Sequence, residues 1–325
     1  MTLKFLHSAT FAALFALTST CAQAVDFPTR PIRMVIGYSA GGPTDVIARI
    51  VAKHMSSDLG QSVVVENKPG ASASIATNDV MRSPPDGYKL LVASLNLNVN
   101  PLIYPDRYDY DSVKAFAPIS NFVNLPMVVV SAYNSPYNTM RDLIADAKEK
   151  PNTVTFGSSG FGGSAHLAGE MLSTMANIKM SHIPFKGNAP ALQEVMAGRL
   201  SFMFYPSIGI TAYVAEKQLK VLAVGTKKPW ADFPNVPTLE SMGLKGFEES
   251  APWVGMLAPA GTPKEIINKL NKSSVAALND PEVRRQIANL GAVIIADSPE
   301  HFKEFLMQDK VRWADVIKKG NVVAQ

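Results

Sequence analysis

The chain has 325 residues, which is enough for two domains at roughly 150 residues per domain. Hydrophobic residues make up 47% and charged residues 18%, and this ordinary globular composition argues against disorder. The net charge is +4, without a basic run long enough to indicate nucleic-acid binding. The single cysteine, Cys21, excludes an internal disulfide and a cysteine metal site, and we expect neither a metal nor a cofactor.

Residues 1–24 have the features of a secretory signal peptide. A charged start precedes the short apolar run Ala9 to Leu17, and Ala22-Gln23-Ala24 forms an A-x-A cleavage site. We therefore expect cleavage after Ala24 and a periplasmic protein. The alternative is a lipoprotein signal that uses Cys21, for which the three preceding residues are a poor match.

The first part of the mature chain alternates strands and helices. Ile32 to Tyr38 is a continuous apolar run typical of a buried strand, and Pro43 to Leu59 has helical spacing that ends at a glycine. A strand over Ser62 to Glu66, a helix ending near Met81 and a strand over Lys89 to Ser94 follow. This order predicts right-handed crossovers and a parallel sheet.

The rest of the chain continues in the same style. The predicted strands are Met127–Ser131, Thr153–Gly157, Leu200–Phe204, Lys220–Val224 and Trp253–Leu257. The predicted helices are Met140–Lys148, Ser164–Met175, Pro190–Ala197, Pro263–Leu278, Pro281–Leu290 and Pro299–Lys318. We predict an α/β protein of two lobes, each a mostly parallel sheet flanked by helices, with a ligand cleft between them. Residues 25–122 and 250–325 would form lobe one, and residues 123–249 would form lobe two.

Two glycine-rich loops connect a buried strand to a helix, one in each lobe. Glycines allow close approach of a ligand to the backbone, and a helix N-terminus offers free N–H groups that favour a carboxylate or phosphate. The alternative for each loop is an ordinary tight turn. The candidate residues of the first loop are Tyr38, Ser39, Ala40, Gly41, Gly42 and Asp45, and those of the second are Ser158, Ser159, Gly160, Phe161, Gly162, Gly163 and His166.

The second loop does not match the common motifs of enzyme active sites. The G-x-S-x-G elbow fails at both Ser158 and Ser159, no P-loop is present, and the glycine spacing does not match a dinucleotide site. His166 has no obvious carboxylate to orient it. We expect no catalytic residues, and an exported serine hydrolase that uses Ser158 or Ser159 with His166 is the alternative.

Smaller groups of residues follow three other strands. Ser94 and Asn96 add polar side chains after a strand, with an ordinary strand-end loop as the alternative. Lys186 could bring positive charge to an anion, although most lysines are simply solvated. Tyr205 ends a predicted buried strand, where either the cleft or the core could hold its ring.

Ordered motifs along the mature chain resemble the tripartite tricarboxylate transporter solute-binding proteins, also called Bug receptors. The matching segments include Pro28–Arg33, Gly41–Arg49, Leu59–Gly70, Pro85–Tyr88, His166–Glu170, Pro184–Gly187 and Ala258–Pro263. The resemblance implies a two-lobed, type II-like periplasmic binding protein that closes on a small carboxylate and delivers it to large and small integral-membrane permease subunits. A receptor that presents its ligand to a sensor protein is an alternative.

In this family the two strand–helix loops hold the ligand carboxylate, largely through backbone amides. Carried onto this chain, the resemblance implies the two loops above, flanked by Lys186, Gly187 and Ala189. Many relatives have an acidic residue at the position of Tyr205. Its replacement by a ring argues against an amino-acid ligand and suggests an aromatic or apolar carboxylate.

Overall fold

The computed structural model describes residues 26–320, so the predicted signal peptide lies outside the described residues. The strands are β1 Ile32–Ile36, β2 Val63–Asn67, β3 Lys89–Ala93, β4 Phe116–Asn124, β5 Met127–Ala132, β6 Thr155–Ser158, β7 Ser181–Pro184, β8 Phe202–Pro206, β9 Leu219–Val224, β10 Trp253–Pro259 and β11 Val293–Ile294. The α-helices are α1 Pro43–Leu59, α2 Ser74–Met81, α3 Asn96–Ile103, α4 Ser112–Ala115, α5 Met140–Glu149, α6 Ser164–Ala176, α7 Asn188–Met196, α8 Ile210–Ala215, α9 Lys264–Asn279, α10 Pro281–Asn289 and α11 Pro299–Gly320.

The strands form two sheets, which confirms the two-lobed α/β prediction. The six-stranded sheet has the order β11-β4-β10-β3-β1-β2, and we call it and the helices packed on it lobe one. The five-stranded sheet has the order β7-β6-β8-β5-β9 and forms lobe two. Each sheet has an apolar core on both faces. The predicted domain boundaries remain a proposal, and the first of them falls inside β4.

Both sheets contain antiparallel pairs, although most strands of each sheet run in one direction. Strands β2, β1 and β3 are parallel, as are β7, β6 and β8, whereas β10 and β5 run antiparallel to their neighbours. Strands β5 and β10 are antiparallel to their neighbours because each is the first strand after the chain crosses between the lobes. The chain enters lobe two through β5 and returns to lobe one through β10, so both strands begin at the cleft where the parallel strands end.

The crossing segments are held together by backbone hydrogen bonds. The amide of Leu125 donates to the carbonyl of Pro252 at 2.9 Å, which joins the outgoing and returning segments. The amide of Ser207 donates to Pro126 at 2.8 Å. These bonds place the carboxyl ends of β1 and β6 on opposite sides of one cleft. Among the helices between residues 26 and 320, none has the length and apolarity to cross a bilayer.

Helix α6 lies unusually close to β6 because residue 169 is glycine. A Cβ atom built at Gly169 would lie 2.2 Å from Cε2 of Phe156, which is shorter than any real carbon contact. The absence of a side chain at residue 169 therefore allows α6 to pack closely on β6, with its N-terminus at the cleft.

Replacement Gly169→Ala should lower the free energy of unfolding by about 1–3 kcal/mol, because the added methyl group forces α6 away from β6. Chemical denaturation measures the loss. The control is Thr174→Ala on the exposed side of the same helix, which should change stability by less than about 0.5 kcal/mol. Equal stability of the two variants would contradict the close packing.

Candidate functional site

The two glycine-rich loops face each other across the cleft. Ser39, in the first loop, donates its backbone N–H to the carbonyl of Lys186 in lobe two, at 3.2 Å. The amide nitrogen Nδ2 of Asn96 donates to the carbonyl of Phe161 at 3.1 Å. Direct hydrogen bonds therefore join the lobes, and the structure is closed.

A narrow cavity of about 20 Å³, which has room for about one water molecule in this closed state, lies between the lobes behind these bonds. Its walls come from both lobes and from the crossing segments. The lining residues are Tyr38, Gly42, Pro43, Thr44, Ser94, Leu95, Asn96, Leu125, Ser159, Ser164, Asn188, Pro206 and Pro252. None of these residues is acidic or basic, so any charge that the cavity accepts must be met by neutral groups.

Four α-helices begin at this cavity. Their first residues are Pro43 of α1, Asn96 of α3, Ser164 of α6 and Asn188 of α7, and all four line it. Helices α1, α6 and α7 each have a glycine as their N-cap, without a side-chain hydrogen bond. By contrast, α4, α5 and α10 are capped by the side chains of their N-cap residues. First-turn N–H groups lack partners within their own helix, so these three helices offer donors to a ligand.

Two buried polar atoms beside the cavity also lack partners. Oδ1 of Asn188 and Oγ of Ser39 are shielded from solvent and form no hydrogen bond within the described residues. A buried polar atom without a partner is costly. A ligand carboxylate would accept a hydrogen bond from Oγ of Ser39, whereas Oδ1 of Asn188 requires a donor such as a ligand hydroxyl.

Tyr38, Ser94 and Asn96 line the cavity from lobe one. The hydroxyl of Tyr38 donates to Oδ1 of Asn96 at 2.8 Å. Burial raises the pKa of Tyr38, outweighing a hydrogen bond with Ser94, so the phenol stays protonated. The predicted strand-end loop is instead the start of α3, whose first residue is Asn96.

Asp45 stabilises the first loop and does not line the cavity. Its carboxylate accepts hydrogen bonds from the Gly41 amide, from Arg49 and from Asn67, each at 2.9 Å. Burial alone would raise its pKa, but these hydrogen bonds and the charge of Arg49 lower it below the usual value. Asp45 is therefore a charged anchor, while Ala40 and Gly41 are exposed on the outside of the loop.

His166 packs against a second histidine behind the second loop. Its Nδ1 accepts the Gly162 amide at 3.1 Å, and its ring centroid lies 4.3 Å from that of His182. Burial lowers the pKa of His166 to about 4. Burial, followed by the charge of His166, lowers the pKa of His182 to about 3. Both rings are therefore neutral near pH 7, where they support the loop and do not contact the cavity.

Ser158 is bonded to this histidine pair and is inaccessible. Its Oγ lies 2.6 Å from Nε2 of His182 and also bonds both backbone polar groups of Gly160. The residue is 0% exposed and does not line the cavity. Ser159 lines the cavity, but no histidine is bonded to its hydroxyl. The geometry therefore gives no support to the serine hydrolase alternative.

The remaining glycines of the prediction allow the lobes to approach. A Cβ at Gly187 would lie 2.2 Å from Oγ of Ser39, and one at Gly160 would lie 3.1 Å from Oγ of Ser72. A Cβ at Gly162 would lie 3.1 Å from Val99, and one at Gly163 2.8 Å from Oγ of Ser159.

Lys186 and Phe161 lie outside the cavity. With Gly160, they line a wider, open pocket at the mouth of the cleft, to which lobe one contributes Arg107. Ala189 does not line the cavity, and its amide lies near Gly42. The ammonium group of Lys186 is therefore not placed to neutralise an anion inside the cavity.

Tyr205 is buried in the core of lobe two, so of the two positions that the sequence allowed, the structure has the core and not the cleft. Its side chain is 3% exposed and packs with Val128, Ala191 and Met203, because alternate residues of β8 point towards α7. The next residue, Pro206, lines the cavity instead. The argument from Tyr205 to an aromatic ligand is thereby removed.

Sequence reasoning missed several lining residues. Ser164 and Asn188 each follow a glycine at the start of a helix, which is the same pattern that identified the first loop. That pattern could have found them. Leu125, Pro206 and Pro252 come from crossing segments and strand ends, where no local motif indicates a site. Within residues 26–320, no cluster of His, Cys, Asp and Glu is arranged to hold a metal.

Comparison with known proteins decides the family. The model of the tripartite tricarboxylate transporter family receptor matches residues 47–322. The chain belongs to this receptor family. The solved structure of the periplasmic binding protein BugD is 34% identical in sequence to this chain, with a TM-score of 0.87. The match covers 92% of this chain and 100% of BugD.

Two further solved structures are similar and contain dicarboxylates. MatC from Rhodopseudomonas palustris, with bound malate, is 27% identical over 90% of this chain and 100% of its own, with a TM-score of 0.85. The R. palustris protein Rpa4515, with adipate, is 30% identical over 91% of this chain and 99% of its own, with a TM-score of 0.86. The family and the periplasmic-binding-protein fold are therefore as the resemblance implied.

The buried histidines predict a specific pH dependence. Each has a folded pKa below its unfolded value of 6.5, so the stability that its neutral form supports is present above pH 6.5 and lost towards pH 4. His166→Asn keeps an acceptor for the Gly162 amide but does not titrate. We expect the wild-type free energy of unfolding to fall more steeply than that of the variant across this range, as measured by denaturation.

The carboxylate of Glu170 lies 3.9 Å from Nε2 of His166. Glu170 is present in both proteins, so its titration contributes to both stability curves. Parallel stability curves for the wild type and His166→Asn would contradict the buried, neutral imidazole.

Proposed function

We propose that this chain is a periplasmic receptor that captures a small carboxylate by closure of its lobes and delivers it to large and small membrane permease subunits. It binds its ligand without chemical change. The supporting observation is the group of three helix N-termini with glycine N-caps around a cavity whose lining has no charged side chain. Periplasmic location and permease delivery are supported by membership of the receptor family.

The helix ends suit an anion for two physical reasons. Each N-terminus carries roughly half a positive charge from aligned peptide dipoles, and its first N–H groups are already oriented. Hydrogen bonds to a carboxylate contribute about 1.5–3 kcal/mol each, and exclusion of water strengthens them. Micromolar affinity corresponds to about −8 kcal/mol, to which these bonds and the burial of the ligand's hydrocarbon both contribute.

The same geometry restricts the ligand. The cavity has no acidic side chain to pair with an ammonium group, because Asp45 is bonded to Arg49 and Asn67. The solved relatives contain malate and adipate. We propose a dicarboxylate of similar size without an amino group, one of whose oxygens accepts a hydrogen bond from Oγ of Ser39.

A binding screen tests this function. The mature protein, freed of small molecules by partial unfolding and dialysis, is titrated with succinate, malate, adipate, benzoate and aspartate in a thermal-shift assay. A ligand at 100 times its dissociation constant adds about 2.7 kcal/mol, which raises the melting midpoint by a few degrees. We expect dicarboxylates to produce this shift and aspartate to produce less. A flat response to every carboxylate, with no co-purified carboxylate in the mass spectrum, would contradict the proposal.

Ser164→Asp places a carboxylate at the first residue of α6. An acidic residue there favours the helix dipole, so the variant should be at least as stable as the wild type. It should nevertheless bind dicarboxylates at least about a hundredfold more weakly, because like charges in the cavity repel. Isothermal titration calorimetry measures the affinity.

The control for this variant is Ser164→Asn, which has the same size without the charge. It should bind within about tenfold of the wild type. Equal affinities of Ser164→Asp and Ser164→Asn would show that the anion lies elsewhere.

A further inference from the structure

A small apolar cluster connects the two lobes beside the cavity. Its buried members are Leu95, Val99, Ile103, Leu167 and Trp313. Leu167 and Trp313 are each 1% exposed and Val99 is 0% exposed. Leu167 lies on α6 of lobe two, whereas the other four lie on α3, just before it, or on α11 of lobe one. The cluster is therefore a contact between lobes, unlike the cores of the two sheets.

Helices α3 and α11 are fixed to each other and to the sheet of lobe one. Nδ2 of Asn98 donates to Oδ2 of Asp309 at 2.8 Å and to the carbonyl of Leu306 at 3.0 Å. The indole of Trp253, in β10, donates to the same carboxylate at 3.3 Å. Trp313 must therefore move with lobe one, while Leu167 moves with lobe two.

Separation of the lobes would take Leu167 out of its apolar surroundings. Val99, Ile103 and Trp313 do not line the ligand cavity, so ligand cannot replace the lost contact. The second loop lies against the same helix, since a Cβ at Gly162 would lie 3.1 Å from Cγ1 of Val99 and 3.5 Å from Cδ1 of Ile103. Burial of this surface favours the closed state with or without ligand.

We propose that Leu167, inserted between α3 and Trp313, is a latch that holds the lobes closed and thereby sets ligand affinity without touching the ligand. The role of closure in capture rests on the proposed function above. The apparent affinity of a ligand scales with the population of the state able to bind it. Each contact that favours closure without ligand therefore strengthens binding.

A matched pair of substitutions separates the latch from ordinary packing. Leu167→Ala removes the contact between lobes. Leu172→Ala removes a 0% exposed leucine from the same helix, but this leucine packs in the core of lobe two. Val99→Ala removes part of the surface that receives Leu167 and tests the latch from lobe one.

Small-angle X-ray scattering of the ligand-free proteins measures the separation of the lobes. We expect Leu167→Ala and Val99→Ala to have a larger radius of gyration than the wild type, because their closed state loses apolar burial. Leu172→Ala should lower the melting midpoint and leave the radius unchanged. For a dicarboxylate identified by the screen, Leu167→Ala should bind about tenfold more weakly and Leu172→Ala within about twofold of the wild type.

Unchanged radii for both Leu167→Ala and Val99→Ala would overturn the latch, as would an equal response of Leu167→Ala and Leu172→Ala. The scattering comparison uses ligand-free protein. A failure to bind any carboxylate would therefore contradict the proposed function while the latch is still tested.

Discussion

An anion that leaves water must be met by N–H or O–H groups that are already fixed in place, and this constraint governs the arrangement of the whole molecule. In the proposed site the donors are helix N-termini and neutral side chains. The β–α connections supply them, because β1 and β6 end at the cleft and the next helix in each lobe starts there. The two-lobed fold brings these starts together from opposite sides, where closure removes the competing water.

An uncapped helix start is unfavourable in an empty protein, and it occurs at the cleft as well as at α2, α8 and α9. Helices α4, α5 and α10 lie elsewhere and are capped by Asp111, Thr139 and Asp280. At the cleft, the glycine N-caps have no side chain that could occupy the first-turn N–H groups. Asp45 stabilises the first loop by accepting a hydrogen bond from the Gly41 amide. The neutral His166 does the same for the second loop. Charged and titratable groups thus support the site without entering it.

Much of this arrangement can be predicted from the sequence. The helix Pro43–Leu59 has the predicted bounds because proline suits the first turn and Gly60 adopts the left-handed conformation that ends it. Both glycine-rich loops could be located for the same local reason. What failed depends on distant contacts. The side of β8 on which Tyr205 lies follows from the register of the sheet, and α3 has a proline inside it that conceals its helical pattern. Lys186 has the right charge, but the bond between its carbonyl and Ser39 places it beyond the closed cavity.

We propose that oriented neutral groups, and no cationic side chain, hold the ligand carboxylate. A crystal structure of the protein with a dicarboxylate such as malate tests this most directly. We expect carboxylate oxygens within hydrogen-bonding distance of first-turn amides of α1, α6 or α7, with Lys186 remaining outside. A carboxylate paired with Lys186 or with an arginine, away from the helix starts, would contradict it.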